Sequence, residues 1–192
     1  NIFTEDQWKG SKDIQANELA TSYVERGNDG KCHKKPLPID TQFSPVFTIT
    51  ELDYNKDGNK DLLRCGNIHH NRLRFGNYDA NYGILLKGDG KGNFKTAAEG
   101  AIPKEYSNGS CVAAADYDKD GDLDLVVGGG VNGGQFPFPS FGGILRNDTD
   151  PKTKVIKFSV ATNEVNEKLK NLGMITDAKW VDINNDSWPD LI

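Results

Sequence analysis

The stretch DYDKDGDLDLVVGGG, Asp116 to Gly130, decides how this chain reads. Aspartates stand at alternate positions, Asp116, Asp118, Asp120, Asp122 and Asp124, and Leu125-Val126-Val127 follows at once. Carboxylates this close repel one another, so the pattern makes sense if something positive is held among them. The apolar run after it has the length and β-branched character of a short strand.

Two relatives of this stretch lie elsewhere. DYNKDGNKDLL runs from Asp53 to Leu63, and DINNDSWPDLI from Asp182 to Ile192. Their first aspartates stand 63 and 66 residues from that of the central copy. A second landmark keeps step: YVERGNDGKC ends at Cys32, LLKGDGKGNF at Phe94 and ILRNDTDPKTKVIKF at Phe158, with spacings of 62 and 64. Two landmarks sharing one period identify a repeat protein.

Each repeat reads as four short strands. In the first complete copy these are Val46 to Leu52, Leu62 to Cys65, Tyr82 to Leu86 and Phe94 to Ala97. In the next they are Cys111 to Ala115, Leu125 to Val127, Gly143 to Leu145 and Lys157 to Val160. The period exceeds the ~40–50 residues of ordinary propeller repeats, and the excess falls in the loops HHNRLRFGNYDAN and GGVNGGQFPFPSF. A short helical patch is expected at Asn163 to Leu172.

The expected fold is all-β: β-propeller blades of four antiparallel strands, with the acidic loop between the first and second strands of each. Residues 1–45 would supply the last two strands of one blade, 46–109 and 110–173 two complete blades, and 174–192 the first hairpin of the next. That is about three blade-equivalents, whereas closed propellers use about 4–8. The sequence therefore reads as a partial propeller and a fragment of a larger protein.

Composition agrees. The chain has 192 residues, enough for one ordinary domain, and its 36 % apolar content with 21 glycines suits a loop-rich β protein. There is no apolar run of about 18 residues that would support a transmembrane helix, and NIFTEDQWKG lacks the basic start and apolar core of a signal peptide. The net charge is −5, and the three acidic loops hold 11 acids, more than the whole deficit. Acidity concentrated in particular loops argues for bound cations rather than a generally acidic surface. Cys32, Cys65 and Cys111 are odd in number and far apart, which argues against a disulfide framework and against a zinc site. One pairing stays open.

The acidic loops follow D-x-[DN]-x-D-x-x-x-D, with side-chain oxygens at positions 1, 3, 5 and 9. Oxygen-only ligation suits Ca²⁺, which takes about 6–8 ligands, and position 7 of such loops gives a backbone carbonyl. Three sites follow. The first uses Asp53, Asn55, Asp57, the Asn59 carbonyl and Asp61. The second uses Asp116, Asp118, Asp120, the Asp122 carbonyl and Asp124. The third uses Asp182, Asn184, Asp186, the Trp188 carbonyl and Asp190.

An EF-hand shares the early part of this pattern but needs a bidentate Glu at position 12 and helices on both sides. Position 12 is Arg64 in the first loop and Val127 in the second, and the flanks are β-branched. The bland reading, Asp- and Asn-rich turns, weakens when three copies stand in register. Mg²⁺ is disfavoured because it keeps its waters. Carboxylate count and the turn residues Gly121, Gly58 and Ser187 rank affinity as second loop, then first, then third.

DYNKDGNKDLL, DYDKDGDLDLVVGG and DINNDSWPDLI, with LLKGDGKGNF between them, resemble the FG-GAP/VCBS repeats of secreted β-propellers. Similar loops occur in the calcium-binding blades of integrin α subunits and in cartilage-acidic-protein-like proteins. The resemblance runs from Tyr23 onward and implies a calcium-stabilised propeller that is extracellular, on the cell surface or periplasmic. The departures are Cys32 where Phe94 and Phe158 stand in the other copies, Ser187 at a usual glycine, and DTDPKTKVIK in place of the glycine turn.

Other chemistry is thin. His69-His70, with Asn71, Arg72 and Arg74, lie in a long loop and read as a solvated segment or as a metal or substrate site. No GxSxG, HExxH or P-loop is present. Arg72, Arg74, Phe75 and Tyr78 are too few for a nucleic-acid surface. Phe136, Phe138 and Phe141 form either an exposed binding surface or edge packing. Sequons begin at Asn108, Asn147 and Asn185.

The expected function is that of a non-catalytic, calcium-binding propeller module whose loops bind a protein or polysaccharide ligand or serve adhesion. Neither nucleic acid nor membrane insertion is expected. The alternative is part of a propeller enzyme, or its scaffold, acting on an extracellular polymer.

Overall fold

The computed structural model describes residues 4, 6, 9–12, 15–66, 83–103, 109–131, 137–139, 142–150, 152–153, 155–161, 165, 169 and 173–192. The chain divides into two compact units, Asn1–Pro36 and Leu37–Ile192. In the first, β1 (Ser22–Arg26) pairs antiparallel with β2 (Cys32–Pro36). Its turn is closed by Gly27 N–H donating to the Lys31 carbonyl at 2.8 Å and Lys31 N–H donating to Asp29 at 3.0 Å. Lys35 pairs with Glu25 at 2.6 Å and lies over the Tyr23 ring.

The second unit opens with a short 3-10 turn, Ile39–Gln42. Then come β3 (Thr48–Leu52), β4 (Asp61–Cys65), β5 (Ile84–Gly88) and β6 (Phe94–Thr96). These four form one antiparallel sheet in sequence order. β7 (Gly109–Ala115), β8 (Asp124–Gly129), β9 (Gly143–Asn147) and β10 (Phe158–Val160) form a second sheet of the same order. β11 (Trp180–Val181) and β12 (Asp190–Leu191) make a hairpin. The fold is all-β, built from four-stranded antiparallel sheets with almost no helix.

The strands match the expected ones to within two residues. The third strand of the first sheet shifts from Tyr82–Leu86 to Ile84–Gly88 because Leu86 and Gly88 pair with Thr96 and Phe94. Of the expected helical patch, only Val165 and Leu169 are described, and Val165 N–H donates to the Ala161 carbonyl, one helical turn back. No helix among the described residues is long and apolar enough to cross a membrane.

Alternation along the strands explains the packing, since successive side chains point to opposite faces. Leu125 and Val127 of β8, Leu145 of β9 and Val112 of β7 face one core with Leu52, Tyr54, Leu63 and Leu85 of the first sheet. Val126 and Ile144 face the other way, toward a core with Trp180 and Leu191 of the last hairpin. The second sheet is thus apolar on both faces, which is why Leu125-Val126-Val127 runs unbroken. Thr50 adds a hydrogen bond to the Val112 carbonyl across the first interface at 2.8 Å.

Two buried polar groups brace this unit. Arg64, 1 % exposed, sends its guanidinium to the Thr41 and Ser44 carbonyls and so clamps the 3-10 turn over β4. Asn147, 2 % exposed, donates to the Tyr54 carbonyl at 3.2 Å and the Leu123 carbonyl at 3.3 Å. Cys65 and Cys111 are buried and form no disulfide, and burial pushes the Cys65 thiol up to about 12. Cys32 is exposed and also free.

Candidate metal centre

The three acidic loops occupy equivalent hairpin turns. Leu52 pairs with Asp61, Ala115 with Asp124 and Val181 with Asp190, so position 9 always opens the second strand. The loop backbones share one signature. Position 4 is left-handed in each copy (Lys56 φ 53°, Lys119 φ 61°, Asn185 φ 60°), and so is position 6 (Gly58 φ 82°, Gly121 φ 90°, Ser187 φ 70°). Serine enters this region reluctantly, yet Ser187 adopts the turn that glycine makes in the other copies.

The same hydrogen bonds recur. The position-1 carboxylate accepts the position-6 N–H: Gly58 to Asp53 at 2.8 Å, Gly121 to Asp116 at 3.0 Å and Ser187 to Asp182 at 2.8 Å. Position 5 accepts the position-7 N–H: Asn59 to Asp57 at 2.9 Å, Asp122 to Asp120 at 2.8 Å and Trp188 to Asp186 at 2.8 Å. Position 9 accepts the position-2 N–H in the first and third copies (Tyr54 to Asp61 at 3.3 Å, Ile183 to Asp190 at 3.0 Å) and a third-strand N–H in the first and second (Gly88 to Asp61 at 2.8 Å, Asn147 to Asp124 at 2.7 Å). These N–H donors aim each carboxylate inward.

The copies differ at position 3. Asn55 and Asn184 donate their amides to the position-5 carboxylates Asp57 (3.2 Å) and Asp186 (2.9 Å). Asp118 has no proton to give there. In the second loop, Asp116, Asp118 and Asp120 offer oxygens that all lie within 4.8 Å of one another, an arrangement that could hold a metal ion. Among the described residues no other trio of acidic, histidine or cysteine side chains closes to that span.

Two oxygens of this loop, Asp116 Oδ1 and Asp124 Oδ2, are buried without a full hydrogen bond, the Tyr117 N–H beside Asp124 falling short of one. A buried unpaired carboxylate oxygen is costly. Burial, followed by the charges of Asp118 and Asp120, pushes the Asp124 carboxyl up to about 6. The donor set is all oxygen, short of positive charge and coordinatively unsatisfied, which fits a hard divalent cation.

Lysines surround the loops. Lys87 pairs with Asp57 at 2.9 Å and, with the Asn59 N–H, holds that carboxyl down at about 2. Lys56, at position 4 of the first loop, pairs with Asp122 of the second at 2.7 Å. Lys119, at position 4 of the second, lies 4.0 Å over the Trp188 ring of the third. Position 4 of one loop thus reaches position 7 of the next.

Of the three expected sets, the structure closes Asp116, Asp118 and Asp120 into one cluster, and it places Asn147 and Lys87, which the motif does not contain, against the loops. Their signal was their place beside landmarks: Lys87 and Asn147 lie in LLKGDGKGNF and ILRNDTD. His69, His70, Asn71, Arg72, Arg74, Phe75, Tyr78, Phe136, Phe141 and Asn108, the first residue of its sequon, lie outside the described residues. Phe138 is 64 % exposed. Asn147 and Thr149 of the next sequon are buried, and the Asn147 amide is committed to backbone carbonyls.

A family model for the FG-GAP-like repeat matches residues 53–127, from the first residue of the first loop through the second loop into β8. No curated protein and no solved structure matches the chain.

Proposed function

We propose that this chain, whose residues 53–127 carry an FG-GAP-like repeat, is a calcium-stabilised segment of a β-propeller. In this reading it serves as a non-catalytic binding or adhesion module outside the cytoplasm. The observation that carries it is the pair of buried, unpartnered oxygens Asp116 Oδ1 and Asp124 Oδ2 beside the Asp118 and Asp120 carboxylates.

Asp116, Asp118, Asp120 and Asp124, with the Asp122 carbonyl, would hold Ca²⁺ in the second loop. The sets from Asp53 to Asp61 and from Asp182 to Asp190 would do the same in the first and third. A bound ion would supply positive charge inside the second loop, where the nearby Lys56 sits on the Asp122 carboxylate rather than on a ligand oxygen. The protein's part is to aim the carboxylates: N–H groups of Gly121, Asp122 and Asn147 orient Asp116, Asp120 and Asp124. Fixing the loop fixes the register of the strand pair it joins, and so the two cores packed against β8. Extracellular modules bind Ca²⁺ with dissociation constants near about 10⁻⁴–10⁻³ M, suited to a calcium-rich exterior. Loops carried on such a rigid frame would present the surface for a protein or polysaccharide ligand.

The test is a thermal melt of chelator-stripped protein with Ca²⁺, with Mg²⁺ and with neither, alongside the metal content of untreated protein. A rise specific to Ca²⁺, of the order of 2.7 kcal/mol when free ion is ~100 times the dissociation constant, supports the reading. No shift and no bound calcium would sink it.

A further inference from the structure

We infer that Lys87 is a resident cation of the first loop: its ammonium sits on an Asp57 carboxylate oxygen that a metal ion would need. The chain's own amine thus closes this loop and makes it a weaker calcium site than the second. The inference rests on the calcium reading of the loops.

Every carboxylate oxygen of the first loop has a partner. Asp53 accepts from Asp57 N–H (3.1 Å) and Gly58 N–H (2.8 Å), and Asp61 from Gly88 N–H (2.8 Å) and Tyr54 N–H (3.3 Å). Asp57 Oδ1 takes the Asn59 N–H, and Asp57 Oδ2 takes both the Asn55 amide at 3.2 Å and Lys87 Nζ at 2.9 Å. The loop is closed without any outside ion. The second loop, on the same backbone, leaves two buried oxygens bare.

The residue equivalent to Lys87 is Arg146, since Gly88 and Asn147 follow them and serve Asp61 and Asp124 alike. Arg146 sends Nε to the next residue but one, Asp148, at 2.9 Å. Lys87 lacks that outlet, because the corresponding Asp89 is spent on its own turn. Asp89 accepts from Lys91 N–H (2.8 Å), Asn93 N–H (3.0 Å) and the Asn93 amide (2.7 Å). Across the sheet Lys87 faces Lys95, a like charge that favours its turning elsewhere. The glycine turn of LLKGDGKGNF thus leaves Lys87 to Asp57, whereas in the next repeat Asp148 takes Arg146 alongside the Ser159 hydroxyl.

A divalent ion entering the first loop must displace this ammonium or bind beside it, and either course lowers affinity. Removing the amine should tighten binding about fivefold at low ionic strength, the scale of an exposed ion pair.

Calorimetric titration of CaCl₂ into the full chain tests this. The background carries Asp116→Ala with Asp120→Ala and Asp182→Ala with Asp186→Ala, which remove two ligands from each of the other loops, and circular dichroism confirms folding. The expected result is that Lys87→Met binds about fivefold tighter than the background. Lys87→Arg, which keeps the charge, should match the background, and the gap should close at high salt. If the background is silent, Lys87→Met should bring binding into range. Equal or weaker binding by Lys87→Met, or silence in both, overturns the role of Lys87 while calcium binding by the wild-type chain leaves the broader reading standing. A wild-type chain that takes up no calcium ends both.

Discussion

The first and second acidic loops share a backbone and differ in how their charge is answered. Both are left-handed at positions 4 and 6, and both place position 9 at the start of the next strand. In the first, the Asn55 amide and Lys87 ammonium satisfy Asp57. In the second, Asp118 repels where Asn55 donates, and two buried oxygens stay bare. One side-chain atom type at position 3, and one amine from β5, separate a turn that closes alone from one that calls for an outside cation.

The comparison extends to the neighbouring strand. A Cβ at Gly88 would lie 2.1 Å from the Lys60 carbonyl, so the first loop packs against bare backbone there. The second repeat has Asn147 instead, which donates to the matching carbonyl of Leu123 and also to Tyr54 inside the first loop. Asn147 therefore ties the two loops together. Asn147→Ala leaves these buried carbonyls unserved and should have the largest effect, a loss of about 2–3 kcal/mol. A melt should show the midpoint falling by roughly 2–4 °C for each kcal/mol lost. A change no larger than that of a surface substitution would mean the tie carries no weight.

Next in size is Asp124→Asn, which removes the most strained charge of the second loop. The amide keeps an acceptor for the Asn147 N–H, so in chelator the variant should melt no lower than wild type at neutral pH, while the second loop's calcium response disappears. A pH series sharpens this. The folded Asp124 carboxyl titrates at about 6, above its ordinary 3.8, because it is buried. The metal-free fold therefore binds this proton more tightly than the unfolded chain does. Its stability should rise as pH falls from 7 through 6 toward 4. Asp57 runs the other way, held down to about 2 by Lys87. Its contribution is full above the ordinary carboxylate range and is lost only as pH falls toward 2, so it does not mask the rise. Wild type in chelator should thus melt higher at pH 5 than at pH 7, and Asp124→Asn should reduce that slope, leaving the part from Asp61, whose carboxyl burial also raises.

Asp118→Asn converts the second loop to the pattern of the first and is expected to matter less. The new amide can donate to Asp120, as Asn55 does to Asp57. Calcium affinity should fall about tenfold, or about 1.4 kcal/mol, while the chelated protein gains a few tenths of a kcal/mol. Titration and melts on the same samples check both signs. If affinity holds, position 3 is not what separates the loops.

Much of this was legible in the sequence because the repeat carries its own register. Aspartates at positions 1, 5 and 9 mark the turns, and the unbroken Leu125-Val126-Val127 marks a strand buried on both faces. What stayed hidden depends on contacts the period does not encode. Arg64 reads as a strand residue, yet it is buried against Thr41 and Ser44, about 20 residues upstream. The partner of Lys87 depends on whether Asp89 is consumed by its turn. Asn147 reads as a sequon, although its amide lies in the interior.

The smallest effect concerns the third loop, which resembles the first in its Asn184 amide but has Ser187 where the others have glycine. At φ 70° the serine Cβ is crowded against its own backbone. The hydrogen bond that matters there, Ser187 N–H to Asp182 at 2.8 Å, is a backbone one that glycine would keep. Ser187→Gly relieves the crowding but makes the unfolded chain more flexible, an opposing term of about 0.4–1 kcal/mol. The net should be a gain of up to about 1 kcal/mol, read as a rise of a few degrees at most. Because no metal-facing oxygen changes, the gain should be the same with calcium and with chelator. A gain seen only with calcium would instead mean that the serine had been holding this loop out of its ion-binding shape.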